Sequence, residues 1–134
     1  MIDAWQAGVA ARTINGEARG EGSDGMRAVA QVLLNRVNDG RWGPTLAAVC
    51  LAPFQFSCWN VGDPNRKLLV ALRDDDATLQ LAMAALADAL EPGAADPTHG
   101  ATHYYADGLE MPGWTAGLTP TAHIGHHLFF AGVR

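Results

Sequence analysis

The chain lacks most of the features that announce a function outright. Of 134 residues only nine are Lys or Arg, against 14 Asp and Glu, a net charge of -5. The basic residues are scattered. No face gathers the cationic density that binding to phosphates requires, so no nucleic-acid partner is expected. No apolar run is long enough to cross a bilayer, and no membrane partner is expected. The opening Met1-Ile2-Asp3-Ala4-Trp5-Gln6 has no basic segment leading into an apolar stretch, so it does not read as a secretory signal. Cysteine is nearly absent. Cys50 and Cys58 are close enough to close a short disulfide loop in an oxidising compartment, or to stay two half-buried thiols; the spacing leaves both open. It is not CxxC, which argues against zinc held by these thiols. HExxH and GxSxG are also missing, which removes the common zinc-protease and serine-hydrolase signatures.

What is present suits one compact α+β domain spanning 1–134. Hydrophobic residues make up 49% of the chain and charged ones 17%, enough apolar material for a single core. Fifteen glycines and seven prolines predict much irregular chain between helices.

The spacing of Trp5, Val9 and Ile14, with Ala10 and Ala11, predicts a helix from Asp3, its cap, to about Ala18. A glycine-rich turn follows in Gly16-Glu17-Ala18-Arg19-Gly20-Glu21-Gly22. Met26, Val29, Ala30, Leu33, Leu34 and Val37 predict a second helix, capped by Ser23 or Asp24 and closed by Asn38-Asp39-Gly40. Residues 41–65 read mostly as loop, with a short helix from Pro44-Thr45 through Val49. Phe54 to Asn60 read as a short strand or an extended groove-lining segment. A third long helix spans about Asp76 to Glu91 on a ridge of Leu79, Met83, Leu86 and Leu90, and ends at Pro92-Gly93. The last forty or so residues read as β, with strands at Ala101–Tyr105 and His126–Phe130.

Glu17 is the first candidate for chemistry. A carboxylate at the end of an apolar helix is held rigidly, and a partly apolar pocket keeps it protonated long enough to act as an acid. Negative charge is unfavourable at a helix C-terminus, so its presence there asks for a reason. Glu21, four residues on, is a second carboxylate, read as support for the loop. His99, His103, His123, His126 and His127 invite a zinc-hydrolase reading. Structural or substrate-binding histidines are the preferred reading. Phe54, Phe56, Phe129 and Phe130 read as core. Gln55, Ser57, Trp59, Asn60, His103, Tyr104, Tyr105 and Trp114 read as a sugar-binding groove of flat faces and polar atoms.

Ala11-Arg12-Thr13-Ile14-Asn15-Gly16-Glu17-Ala18-Arg19-Gly20-Glu21, followed by Gly25 to Val37, closely resembles the SleB/CwlJ-type cell wall hydrolases. Gln55-Phe56-Ser57-Cys58-Trp59, Ala101 to Tyr105, Trp114 and Ile124 to Phe130 extend the match over nearly the whole chain. The resemblance implies a lysozyme-like α+β fold, mainly helical with a small antiparallel β element near the C-terminus. It implies a monomer acting on peptidoglycan glycan strands without metal or cofactor. The family's catalytic glutamate falls on Glu17 and a supporting one on Glu21. A lytic transglycosylase is the implied activity; muramidase hydrolysis, and then a zinc amidase or peptidase, are the alternatives. No wall-binding repeat is recognised, so specificity for spore-cortex muramic lactam is not expected to carry over. A leaderless single domain would suit a phage-type lysin released by a holin, or an excised catalytic domain.

Overall fold

A computed structural model describes residues 2–53 and 55–134. Phe54, read from sequence as core, lies outside them. Among the described residues the chain forms five α-helices and then a three-stranded sheet: α1 (Ala4–Ala18), α2 (Gly22–Asp39), α3 (Leu46–Leu51), α4 (Pro64–Ala71), α5 (Ala77–Leu90), β1 (His103–Ala106), β2 (Ala122–Ile124) and β3 (His127–Phe130). This is the mainly helical α+β architecture, with an antiparallel sheet near the C-terminus, that the sequence predicts.

Side-chain oxygens start four of the helices by accepting backbone N–H bonds. Asp3 accepts from Gln6, Thr45 from Ala48, Asp63 from Asn65 and Asp76 from Leu79. The exception is α2. Its N-cap is Glu21, whose side chain makes no capping bond, and the expected caps Ser23 and Asp24 lie inside the first turn. Gly40 ends α2 in the left-handed conformation at φ 89°.

Helices α1, α2 and α5 pack on one another around Ile14, Met26, Val29, Leu33, Leu79 and Leu86, all buried. Burying each such side chain contributes roughly 1.5–3 kcal/mol. The predicted ridges are partly wrong. Trp5 is exposed on α1, as are Met83 and Leu90 on α5, where Ala82, Ala85 and Ala89 take the inner face instead. Alanine lets helix axes approach closely, and the bulkier residues turn outward.

Two elements between α3 and α5 differ from the sequence reading. Residues 64–71 form α4, with Pro64 at its start and Leu69 alone buried. Where the sequence predicts a short strand or an extended groove-lining segment across 54–60, the described residues include a 3₁₀ turn at Ser57–Trp59. Phe56 is buried and Trp59 half-buried.

Strand β3 is central, with β1 and β2 antiparallel on either side. Tyr104 faces Phe129 and His103 faces Phe130 across the β1–β3 ladder. Alternation therefore puts Tyr104, His127 and Phe129 on the face toward the helices, and His103, Tyr105 and Phe130 on the other. Two adjacent side chains of α2 hold the approach to β1. Asn35 Nδ2 donates to Ala101 O at 2.8 Å, and Arg36 Nε to Thr102 O at 2.7 Å.

Candidate functional site

Glu17 is the penultimate residue of α1. Gly16 beside it permits a close approach, since a Cβ there would meet Leu69 Cδ1 at 3.1 Å and Cys58 Sγ at 3.2 Å. Helix α4 and the Ser57–Trp59 turn thus press against α1 next to the carboxylate. Glu17 is half-buried. The Tyr104 hydroxyl donates to Glu17 Oε1 at 2.6 Å. Burial raises the Glu17 pKa above its ordinary value, although the Tyr104 bond and the Arg36 charge both act to lower it. Burial, with Glu17 beside it, pushes the Tyr104 phenol well up, so it stays a neutral donor.

Arg36 was not singled out from sequence. Its guanidinium is buried, bonded to Thr102 O and to Gln55 Oε1, and lies 4.4 Å from the Trp42 ring centroid and 5.2 Å from that of Phe56. The signal was its spacing. Arg36 follows Val29 and Leu33 on the apolar stripe of α2, where a solvated arginine does not belong.

Glu21 turns away from α2 toward the β2–β3 turn. Its Oε2 lies 2.9 Å from His126 Nδ1, and its Oε1 accepts from the His126 backbone N–H at 3.2 Å. The His126 hydrogen bond is the largest cause of its lowered pKa. Two glycines make room. A Cβ on Gly25 would collide with Glu21 Cβ, and one on Gly125 (φ 57°) would meet Glu21 Oε2 at 3.0 Å.

The remaining candidates divide. Gln55 is exposed, with Oε1 shared between Arg36 Nη1 and Trp42 Nε1, both at 3.1 Å. Ser57 is exposed at the start of the 3₁₀ turn. Trp59 turns back to α1, donating from Nε1 to Thr13 Oγ1 at 2.8 Å. It lines a groove of about 730 Å³ with Trp5, Val9, Arg12 and Met83, a groove Glu17 does not line. Asn60 sits with Leu51, Pro53 and Val61 on a shallow cavity of about 310 Å³. Tyr104 alone of the set bonds Glu17.

His103, Tyr105 and Trp114 gather on the opposite face of the sheet from Tyr104. His103 lies between Trp42 and Trp114, at 5.5 and 5.1 Å between ring centroids. Burial, reinforced by Arg36 and Arg41, lowers its pKa to about 4. Trp114 meets Phe130 edge-on at 5.2 Å and helps bury it. Two guanidinium groups lie over the Trp42 ring, Arg36 at 4.4 Å and Arg41 at 4.6 Å from its centroid.

His123 pairs with Asp107 at 3.0 Å and His126 with Glu21. Among the described residues no three His, Cys, Asp or Glu side chains are placed to hold a metal ion. Cys50 and Cys58 are both buried free thiols, which burial pushes to about 11 and about 12.

Comparison with known proteins shows the family and the fold. A spore cortex-lytic enzyme of Halalkalibacterium halodurans is 33% identical over 119 residues, covering 89% of this chain and 32% of that protein. The chain thus spans about a third of the length of the curated relatives it matches, between 32% and 39%. The catalytic domain of Bacillus cereus SleB superposes with a TM-score of 0.79 at 27% identity, over 98% of this chain and 93% of that one. The catalytic domain of the germination-specific lytic transglycosylase SleB from Bacillus anthracis gives 0.77 at 27% identity, over 97% of each chain. The Cell Wall Hydrolase family model matches residues 20–130, which takes in Glu21 and starts just after Glu17. The chain belongs to the cell wall hydrolase family.

Proposed function

We propose that this chain cleaves the bond between MurNAc and GlcNAc in peptidoglycan as a lytic transglycosylase, with Glu17 as both acid and base. The observation that carries this is the half-buried Glu17 carboxyl, its pKa raised by burial and its Oε1 occupied by the Tyr104 hydroxyl. With Oε1 accepting that bond, the acidic proton resides on Oε2. Oε2 gives it to the glycosidic oxygen as the bond from that oxygen to MurNAc C1 breaks. The GlcNAc hydroxyl leaves, and positive charge develops at C1. The new carboxylate, stabilised by the Tyr104 donor and the Arg36 charge, then takes the proton of the MurNAc 6-hydroxyl. That oxygen bonds C1 and closes a 1,6-anhydro ring. Atoms balance without water, and Glu17 ends as it began.

Glu21 favours a single-carboxylate cycle over a nucleophilic pair. Both its oxygens are engaged at the β2–β3 turn, which leaves it a supporting residue that ties α2 to the sheet. Exposed Gln55 and Ser57, beside the buried Arg36 and Cys58, are the polar groups proposed to meet the glycan. The similarity to a spore cortex-lytic enzyme and to a germination-specific lytic transglycosylase supports this reading.

The test is digestion of purified peptidoglycan followed by mass spectrometry of the muropeptides. Anhydro ends, each one water lighter than a reducing end, are expected; reducing ends alone would mean hydrolysis. Glu17→Gln should lower the rate by about 10²–10⁴-fold, the usual worth of a general acid. Near-normal activity in that variant would remove the proposed mechanism.

A further inference from the structure

His127 stands one shell behind Glu17, and its environment is unusual. The residue opens β3 and points inward, with its Nδ1 buried and without a hydrogen-bond partner. Glu21 Oε1 is the nearest acceptor at 3.5 Å, too far for a good bond. On its other side the ring meets Tyr104 edge-on, 5.0 Å between centroids. Tyr104, His127 and Phe129 form a triangle of rings, Phe129 lying 5.5 Å from Tyr104 and 6.2 Å from His127, while the Tyr104 hydroxyl holds Glu17 at 2.6 Å. A buried nitrogen left unpaired costs about 1–3 kcal/mol. A carboxylate just out of reach gives the ring somewhere to go when it gains a proton.

We propose that His127 is a positioning residue for the acid: neutral, it braces Tyr104 against Glu17, and protonated, it moves onto Glu21 and releases that brace. The inference rests on the reading of Glu17 as the acid. The ionisable groups around His127 are Glu21 from the α1–α2 junction, Tyr104 from β1, Asp107 just after β1 and His126 from the β2–β3 turn. Glu21 and Asp107 favour the imidazolium, while burial and His126 oppose it. Burial prevails, so the ring is neutral at pH 7 and takes its proton below the ordinary histidine range. Glu21 then becomes the counter-charge for two imidazoles, His126 and His127.

The two ends of the pH profile then have different owners. Loss of the Glu17 proton sets the alkaline limb. His127 sets the acid limb, with a fall of about tenfold to a hundredfold as the acid is misplaced. The experiment compares pH–rate profiles of the wild type and His127→Phe on purified peptidoglycan. Phenylalanine keeps the edge contact with Tyr104 and cannot be protonated. The acid-side fall should vanish in the variant, with KM and the alkaline limb unchanged. An unaltered acid limb in folded His127→Phe would overturn the proposal. NMR of the wild type gives a readout that no variant need survive to provide. The Tyr104 ¹³Cζ shift should step at the pH where the His127 ring nitrogens titrate; a flat Tyr104 response would also overturn it. Failure of the Glu17 reading would show separately, as retained activity in Glu17→Gln.

Discussion

The hydroxyl of Tyr104, on the inner face of β1, donates a 2.6 Å hydrogen bond to Oε1 of Glu17 at the end of α1. One bond therefore joins the helical layer to the sheet at the carboxylate proposed to do the chemistry. Neither partner is placed by its neighbours in sequence. Glu17 is fixed by the packing of α1 against α4 and the 3₁₀ turn, and Tyr104 by the bonds that Asn35 and Arg36 make to the approach of β1.

Tyr104→Phe removes a donor that favours the anion. The Glu17 pKa should therefore rise further, and the alkaline limb of the pH–rate profile should move to higher pH. The maximal rate should fall by about tenfold, because the acid loses its orientation. A profile measured on peptidoglycan suspensions across the neutral and alkaline range decides this; an alkaline limb that moved down would contradict the assignment.

Gly125→Ala should destabilise the fold. The residue sits at φ 57°, and its Cβ would meet Glu21 Oε2 at 3.0 Å. The left-handed conformation costs about 1–2 kcal/mol for a residue with a side chain, before the contact is counted. Thermal melts of the two proteins measure the difference, and Gly20→Ala, where a Cβ would meet nothing within 4 Å, is the control.

The Glu21–His126 pair should stabilise within a defined pH window. The Glu21 pKa is lowered by the His126 hydrogen bond, so its contribution is lost as pH falls through the lowered value. The His126 pKa is raised by the same bond, so its contribution is present below the ordinary histidine value and lost as pH rises through the raised one. His126→Ala should therefore lower Tm at about pH 6 and have little effect near pH 9. The effect is small, since the His126 side chain is 79% exposed.

Cys50 and Cys58 should be silent in the native protein. Both are buried, and both thiols are pushed far above neutrality, to about 11 and about 12. A thiol reagent such as DTNB at pH 7.5 should titrate neither until denaturant is added. Reducing agents should leave activity unchanged; fast labelling of the folded enzyme would refute this.

The helices that bury a continuous apolar stripe are legible in the sequence, because a period of three to four residues is written directly in the chain. Asp3, Asp76 and Gly40 marked their ends by local chemistry, and α1, α2 and α5 follow. Helix α4 was missed although Asp63-Pro64 is a good start signal, since a helix that buries only Leu69 leaves almost no periodic trace. Strand β2, three residues long, left none. Glu17 stood out in the sequence through its motif, and Tyr104 as one of a pair of tyrosines. Which tyrosine reaches the carboxylate was a matter of strand alternation and register, which the sequence of β1 alone does not contain.

Glu21 shows the same division. Its place in the turn after α1 is local, as is the glycine at position 25 that makes room for it. Its partners His126 and His127 lie more than a hundred residues away. Local spacing determined the helical scaffold and the α+β class, because those depend on backbone geometry within a few residues, and the family resemblance of its motif singled out Glu17 as the candidate acid. Tertiary structure alone decided the upward shift of the Glu17 pKa, its bond to Tyr104 and the unpaired nitrogen of His127. Burial and hydrogen bonding are set by whatever the fold brings alongside, not by the neighbours in the chain.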